Sequence, residues 1–237
     1  MKRDYFISVA MATYNGEKYI TEQIDSILKQ LSENDELIIS DDGSTDKTIK
    51  IIEKYKDKRI KLLKGPHNGV KQNFANAITN CKGKYIFLSD QDDVWLEKKV
   101  DKVLNTFENE KCTCVLHDNI VFDSASGKTI IESFFKYRHC QSGALKNIIK
   151  NSYIGCCMAF SREIIDEILP IPNKIEMHDQ WIGIISDLYG KTSLLEEKLI
   201  KYRRHDSNVS EMKHYGIAKM ITNRVNLISE LLKRRKK

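Results

Sequence analysis

The amino-acid sequence predicts an α/β protein: a mostly parallel sheet flanked by helices, followed by a C-terminal amphipathic helix. Three observations predict it. Across residues 5–107, short apolar runs alternate four times with segments whose apolar residues recur at helical spacing, the pattern of strand–helix units that wind a parallel sheet. Polar clusters stand where the first, second and fourth runs end: Thr13-Tyr14-Asn15, Asp41-Asp42, and Asp90 through Asp93. Ligands of such sheets bind beyond the carboxyl ends of the strands, so one crevice would collect all three.

Residues 5–12 read as the first strand. Ile20, Ile24, Ile27, Leu28 and Leu31 then fall at helical spacing. Residues 37–40 are a buried strand, and Asp41-Asp42-Gly43 is a turn. Ser44, Thr45 and Asp46 supply cap residues for a helix that runs to Tyr55. Residues 60–63 form the third strand, and Val70, Phe74, Ala77 and Ile78 mark the third helix. His67 and Asn68, just before it, read as a plain turn. Residues 85–88 form the fourth strand, and Leu96, Val100, Val103, Leu104 and Phe107 trace the fourth helix. The first strand is not followed by Gly-x-Gly-x-x-Gly, which argues against an ordinary NAD site and leaves a Rossmann-like sheet with another ligand.

After residue 110 the pattern is less regular. Strands are expected at 113–122, 156–160 and 199–203, and helices at 143–150 and 179–188. The chain has only three prolines, and no Pro-, Gly- or Ser-rich linker divides it. Residues 1–210 therefore read as a single domain, in which 1–110 bind the ligand and 111–210 supply the opposite side of the crevice. Residues 211–237 read as an appended helix with a basic tail.

Apolar residues make up 41% of the 237-residue chain and charged residues 30%, a balance typical of soluble globular proteins. Apolar runs fall far short of the roughly 20 residues that span a bilayer. Lys2 and Arg3 precede too short an apolar run to make a signal peptide. A cytoplasmic location is expected. The six cysteines include no Cys-x-x-Cys pair, so reduced, buried thiols are expected rather than a zinc site.

The formal net charge is +6, and the last five residues, Lys233 to Lys237, are all basic. A nucleic-acid protein would spread such charge over a folded face with interleaved aromatics, so nucleic acid is not an expected partner. Within the terminal helix, Ile217, Ala218, Met220, Ile221, Val225, Leu227, Ile228, Leu231 and Leu232 take one half of the circumference. Arg224 interrupts that half. Two readings stay open: the helix docks on its own domain, or it lies in an anionic membrane surface, helped by the basic tail.

The densest chemical signal is Ser89-Asp90-Gln91-Asp92-Asp93 at the end of the fourth strand. Adjacent like charges there repel and resist burial. A hard divalent cation removes that conflict, because it takes carboxylate oxygens and leaves positions for phosphates.

Three segments together carry a family resemblance: Ser8 through Ile27, Ser40 through Thr48, and Leu88 through Trp95. In order and spacing they resemble a family 2 glycosyltransferase of GT-A fold. Gly155-Cys156-Cys157-Met158, His178-Asp179-Gln180-Trp181 and Tyr202-Arg203-Arg204-His205 are similar, more loosely, to the bacterial rhamnosyltransferase-like branch. The resemblance implies a nucleotide-diphospho-sugar donor, with dTDP-L-rhamnose the first candidate, and a glycan or lipid-linked glycan acceptor. It implies that Asp90 and Asp92 hold Mg²⁺ or Mn²⁺ against the donor diphosphate, Asp92 by direct ligation and Asp90 nearer the sugar, with Asp93 orienting its neighbours. Thr13, Tyr14 and Asn15 would shape the nucleoside pocket, with Asp41 on the base. Asp42 would do the same or cap the helix that follows it. Asp179 would be the general base of an inverting transfer, or else only an N-cap. Trp181 would stack on a sugar or anchor its helix. His205 would complete the metal or diphosphate site, or be structural. Arg203 or Arg204 would neutralise phosphates. A catalytically silent nucleotide-sugar binding module is the alternative.

Overall fold

The computed structural model describes residues 4–206, 208 and 216–234. Its first half runs β1 (Ile7–Thr13), α1 (Ile20–Leu28), β2 (Glu36–Asp41), α2 (Thr48–Ile52), β3 (Ile60–Lys64), α3 (Gly69–Asn80) and β4 (Tyr85–Ser89). β1 pairs in parallel with both β2 and β4, and β2 with β3, giving the order β3-β2-β1-β4. The reason is in the burial: every residue of β1, β2 and β4 is buried, as strands covered by helices on both faces must be. Ser8 and Glu36, caught inside, are paired. Ser8 Oγ donates to Glu36 at 2.7 Å, and the Glu36 carboxylate also accepts from Lys61 at 2.6 Å and from the Lys82 amide at 2.7 Å.

The second half is β5 (Val94–Trp95), α4 (Lys99–Glu110), β6 (Cys114–Asp123), β7 (Thr129–Ile131), α5 (Phe134–Arg138), α6 (Ala144–Ile149), a 3-10 turn at Gly155–Cys157, β8 (Met158–Ser161), α7 (Ile165–Ile168), α8 (His178–Tyr189), β9 (Thr192–Arg204) and α9 (Ile217–Arg234). It extends the same sheet rather than starting another. β8 adds antiparallel to β4, β6 antiparallel to β8, β9 parallel to β6, and β5 antiparallel to β9. Two of these pairings position the site. β8 aims the Gly155–Cys157 turn at the end of β4, and β9 delivers Arg203 and His205 to the loop that follows β4.

Several boundaries differ from the expected ones. α2 ends at Ile52 rather than Tyr55. The fourth helix begins at Lys99 because the preceding backbone is held as a strand: the Trp95 amide donates to Ser26 Oγ at 3.0 Å and the Leu96 amide to the Leu199 carbonyl at 2.9 Å. The segment expected as a strand from 156 first makes the 3-10 turn. The strand expected at 199–203 is far longer, because its whole length pairs with β6. The terminal helix begins at Ile217; residues 212–215, where its start was expected, lie outside the described residues, as do 235–237 of the basic tail. All six cysteines are free thiols. No helix among the described residues is long and apolar enough to cross a membrane.

α8 is seated by a close approach at Gly183. A Cβ there would stand 2.4 Å from the Tyr153 ring. Gly183→Ala is expected to destabilise the protein: overpacking costs about 1–3 kcal/mol, and alanine's better helix propensity returns at most about 1 kcal/mol. Thermal unfolding followed by circular dichroism checks this, with a fall of several degrees in Tm expected and an unchanged Tm against it.

Candidate active site

The carboxyl ends of β1, β2 and β4 lie side by side, with Thr13 opposite Asp41 and Met11 opposite Ser89 in the parallel registers. The loops beyond them are tied together. Asn15, at φ 50, accepts from the Thr45 amide at 2.8 Å, and its own amide donates to Ser44 Oγ at 2.8 Å. Asp41 is buried, and its carboxylate accepts from the Gly43 and Ser44 amides. Gly43 at φ +95 lies under the His67 imidazole, where a Cβ would meet ring atoms at 2.2 Å. Thr13 is buried; Tyr14 projects with 53% of its surface exposed. Asp42 takes the helix-capping role, but for α3: it accepts from the amides of Asn68 and Gly69, at 3.2 and 2.8 Å.

Gln91 links this rim to the acidic loop. Its Oε1 accepts from Thr13 Oγ1 and the Tyr14 amide, and its Nε2 donates to the Tyr14 carbonyl. Gln23, buried on α1, donates to Ser89 Oγ at 2.8 Å and the Asp90 carbonyl at 2.9 Å. Neither glutamine was singled out from the sequence, although Gln91 sits inside the acidic motif.

Within the loop the three carboxylates have different surroundings. Asp92 Oδ2 lies 2.8 Å from His205 Nε2, and the His205 ring stacks on Tyr19 with centroids 4.7 Å apart. Asp93 is 1% exposed; its Oδ1 accepts from the Arg203 amide, while its buried Oδ2 has no hydrogen-bond partner. Asp90 is half-buried, and carboxylate oxygens of Asp90 and Asp93 and the Cys156 sulfur lie within 4.8 Å of one another. Burial first, then the neighbouring Asp92 charge, pushes the Asp90 carboxyl up to about 7 and that of Asp93 well above the usual range. The nearby cation is Lys99, fully buried, whose Nζ donates to the Cys156 carbonyl at 2.9 Å and lies 4.1 Å over the Trp95 ring. Burial lowers its ammonium to about 8, which still leaves it charged at neutral pH. Among the described residues Asp90, Asp93 and Cys156 are the group close enough to share an ion, and Asp92 pairs with His205 beside them; the carboxylate oxygens and the orphaned Asp93 oxygen fit a divalent cation.

Arg203 does not face the crevice as a phosphate ligand would. It is 8% exposed, with Nε donating to the Asp92 carbonyl at 2.7 Å, Nη2 paired with Glu22, and its guanidinium between the Tyr19 and Phe122 rings. It props up the acidic loop. Arg204, the next residue of β9, is half-buried, and its carbonyl accepts from the Ser124 amide.

Asp179 lies in the first turn of α8, whose N-cap position is Met177, so it is not the cap. It sits against Gly155, close enough to Asp90 for their charges to interact. Burial raises its carboxyl to about 6. His178 is buried, stacked on Phe74 at 4.0 Å, and burial lowers its imidazole to about 3. Trp181 takes the anchoring role: it is fully buried, and Nε1 donates to the Ile168 carbonyl at 2.9 Å.

Comparison with known proteins agrees with this geometry. The family model for glycosyl transferase family 2 matches residues 8–169, well over half of the chain. The chain belongs to that family and is a glycosyltransferase acting on nucleotide-sugar donors. It is 30% identical over 218 residues to the UDP-Glc:alpha-D-GlcNAc-diphosphoundecaprenol beta-1,3-glucosyltransferase WfgD of Escherichia coli, covering 89% of this chain and 81% of that protein. It is 27% identical over 219 residues to the dTDP-rhamnosyl transferase RfbG of Shigella flexneri, covering 84% and 72%. A crystal structure of S. aureus TarS 1-349 in complex with UDP-GlcNAc matches with a TM-score of 0.71 at 20% identity, covering 96% of this chain and 72% of that one. That likeness establishes the GT-A fold expected above. The chain spans 66% to 81% of the length of the first such relatives.

Arg203→Met keeps much of the stem but loses the hydrogen bonds to Asp92 and Glu22. Urea unfolding is expected to show a loss of about 1.5–3 kcal/mol. Glu22→Gln, at an exposed partner, should cost less than about 1 kcal/mol.

Proposed function

We propose that the protein is a metal-dependent inverting glycosyltransferase that moves a sugar from a nucleoside-diphosphate donor to a hydroxyl of a cell-surface polysaccharide precursor at the cytoplasmic side of the membrane. The observation that carries this reading is the gathering of Asp90, Asp92, Asp93 and His205 at the carboxyl end of β4, with Asp179 beside them. RfbG, a dTDP-rhamnosyl transferase by name, supports dTDP-L-rhamnose as donor, whereas WfgD is named for UDP-Glc. The donor base would lie between the exposed Tyr14 ring and the Asp41 loop, with Asn15 fixing that rim and Thr13 behind it.

Asp92 and His205, with Asp90, would hold Mg²⁺ or Mn²⁺. The cation supplies charge neutralisation at the diphosphate leaving group. Asp179 takes the proton of the acceptor hydroxyl as its oxygen bonds to the anomeric carbon. The bond from that carbon to the diphosphate oxygen breaks on the opposite face, which inverts the configuration. A carboxyl group with its pKa raised to about 6 is a better base than an ordinary aspartate and is still ionised at neutral pH.

Two measurements test the reading. Asp179→Asn is expected to lower kcat by about 10²–10⁴ while leaving donor binding in place; full turnover would remove the base assignment. In the parent enzyme kcat should fall as pH drops through about 6, because Asp179 becomes protonated and a protonated carboxyl cannot accept the hydroxyl proton. Secondly, excess EDTA or Asp92→Ala should abolish transfer, with activity after EDTA restored by Mn²⁺; undiminished transfer would remove the metal role.

A further inference from the structure

The terminal helix is only partly docked, and the undocked part has a definite character. On one side Leu227 is buried, Asn223 donates to the Glu176 carboxylate at 2.5 Å, and Arg234 donates to the Leu169 and Pro170 carbonyls, each at 2.8 Å. At about 100° per residue, Ile221, Val225, Ile228 and Leu232 fall in a separate sector of roughly 60°. They are 56%, 59%, 43% and 57% exposed. Arg224, at the border of the two sectors, bonds the Ile149 carbonyl. This joins α6 to the stripe, and Leu145 and Ile149 of α6 are 79% and 68% exposed. Six exposed aliphatic side chains thus stand on two helices that this contact ties together, and exposed apolar faces mark interaction sites.

The charges around the face say what covers it. α9 carries four basic residues, of which Arg224 borders the stripe, Lys219 and Lys233 lie on the outer side and Arg234 on the docked side, against one acid, Glu230, which pairs with Lys233. α6 contains Lys146, ends at Lys150 and has no acidic residue. Arg235, Lys236 and Lys237 follow in the sequence. A second copy docking by a two-fold axis would set this positive rim against itself. An anionic bilayer satisfies both features, taking the aliphatic stripe among its acyl chains and the rim among its headgroups.

We infer that the α6/α9 face seats the enzyme on an anionic lipid surface. The face is fastened to the segment that carries Asp179: α9 holds Glu176, and Gln180 Nε2 donates to the Asn147 carbonyl on α6 at 2.9 Å. Seating this face in a bilayer brings the Asp179 side of the crevice to the membrane, where a lipid-linked acceptor presents its hydroxyl. That last consequence rests on the functional reading above; the docking itself does not.

The test is flotation with lipid vesicles, which needs no turnover. The protein should bind vesicles of phosphatidylcholine with phosphatidylglycerol, release at high salt, and bind phosphatidylcholine alone weakly. Ile221→Glu/Ile228→Glu should lower partitioning by about tenfold or more, and so should the separate Leu145→Glu/Ile149→Glu pair on α6. These substitutions are at exposed positions, so Tm and nucleotide binding should stay unchanged. Failure of the parent protein to bind anionic vesicles would overturn the inference. So would full binding by both pairs, or a solution dimer that Ile221→Glu/Ile228→Glu splits, which would make a second copy the occupant.

Discussion

Like-charge repulsion at the carboxyl end of β4 is the constraint on which the rest of the site depends. Three carboxylates fall within four positions, and burial and then the Asp92 charge drive Asp90 and Asp93 toward their protonated forms. The protein relieves this only in part: Lys99 acts on Asp90, the Arg203 amide donates to Asp93, and His205 stands against Asp92. Lys99 is also engaged by the Trp95 ring and a carbonyl, and the Arg203 guanidinium answers the Asp92 backbone and Glu22 rather than the clustered carboxylate oxygens. The loop is thus held rigidly in an arrangement that a divalent cation would complete, which is preorganisation in the sense that matters for binding a diphosphate.

The sheet makes that rigidity affordable. Parallel strands β1, β2 and β4 bring three loop ends to one edge, and Gln91 and Gln23 lock the acidic loop to β1 and α1. The antiparallel second half then folds back: β8 supplies the Gly155–Cys157 turn against which Asp179 rests, and β9 supplies His205. Both halves of the chain thus build one continuous sheet.

Much of this was legible in the sequence where local pattern and burial agree. Three of the four strand–helix units have fully buried strands, β1, β2 and β4, flanked by helices with an apolar face, and both leave traces in the sequence. The acidic motif was legible because its charges contradict its apolar neighbours. What escaped was set by long-range contacts. Arg203 looks like any cationic partner for phosphate until β9 turns it inward between Tyr19 and Phe122. Asp42 reads as a cap for the next helix, yet it caps the one after, because the β2 and β3 ends are adjacent in space. Val94–Trp95 pairs as a strand only because β9, a hundred residues away in sequence, is beside it. The terminal helix showed its amphipathicity in sequence, but not that its apolar half divides into a docked edge and an open stripe.

The central claim is that a divalent cation and a nucleoside diphosphate complete this acidic cluster together. Titration calorimetry of Mn²⁺ into the protein with UDP or dTDP near pH 7, repeated in buffers of different ionisation enthalpy, tests it directly. Carboxyl groups held partly protonated must lose those protons when they ligate a cation. The account expects tight, nucleotide-dependent Mn²⁺ binding with net proton release that shrinks as pH rises and is lost with Asp92→Ala. Mn²⁺ binding that is absent, or that releases no protons and ignores Asp92, would contradict it.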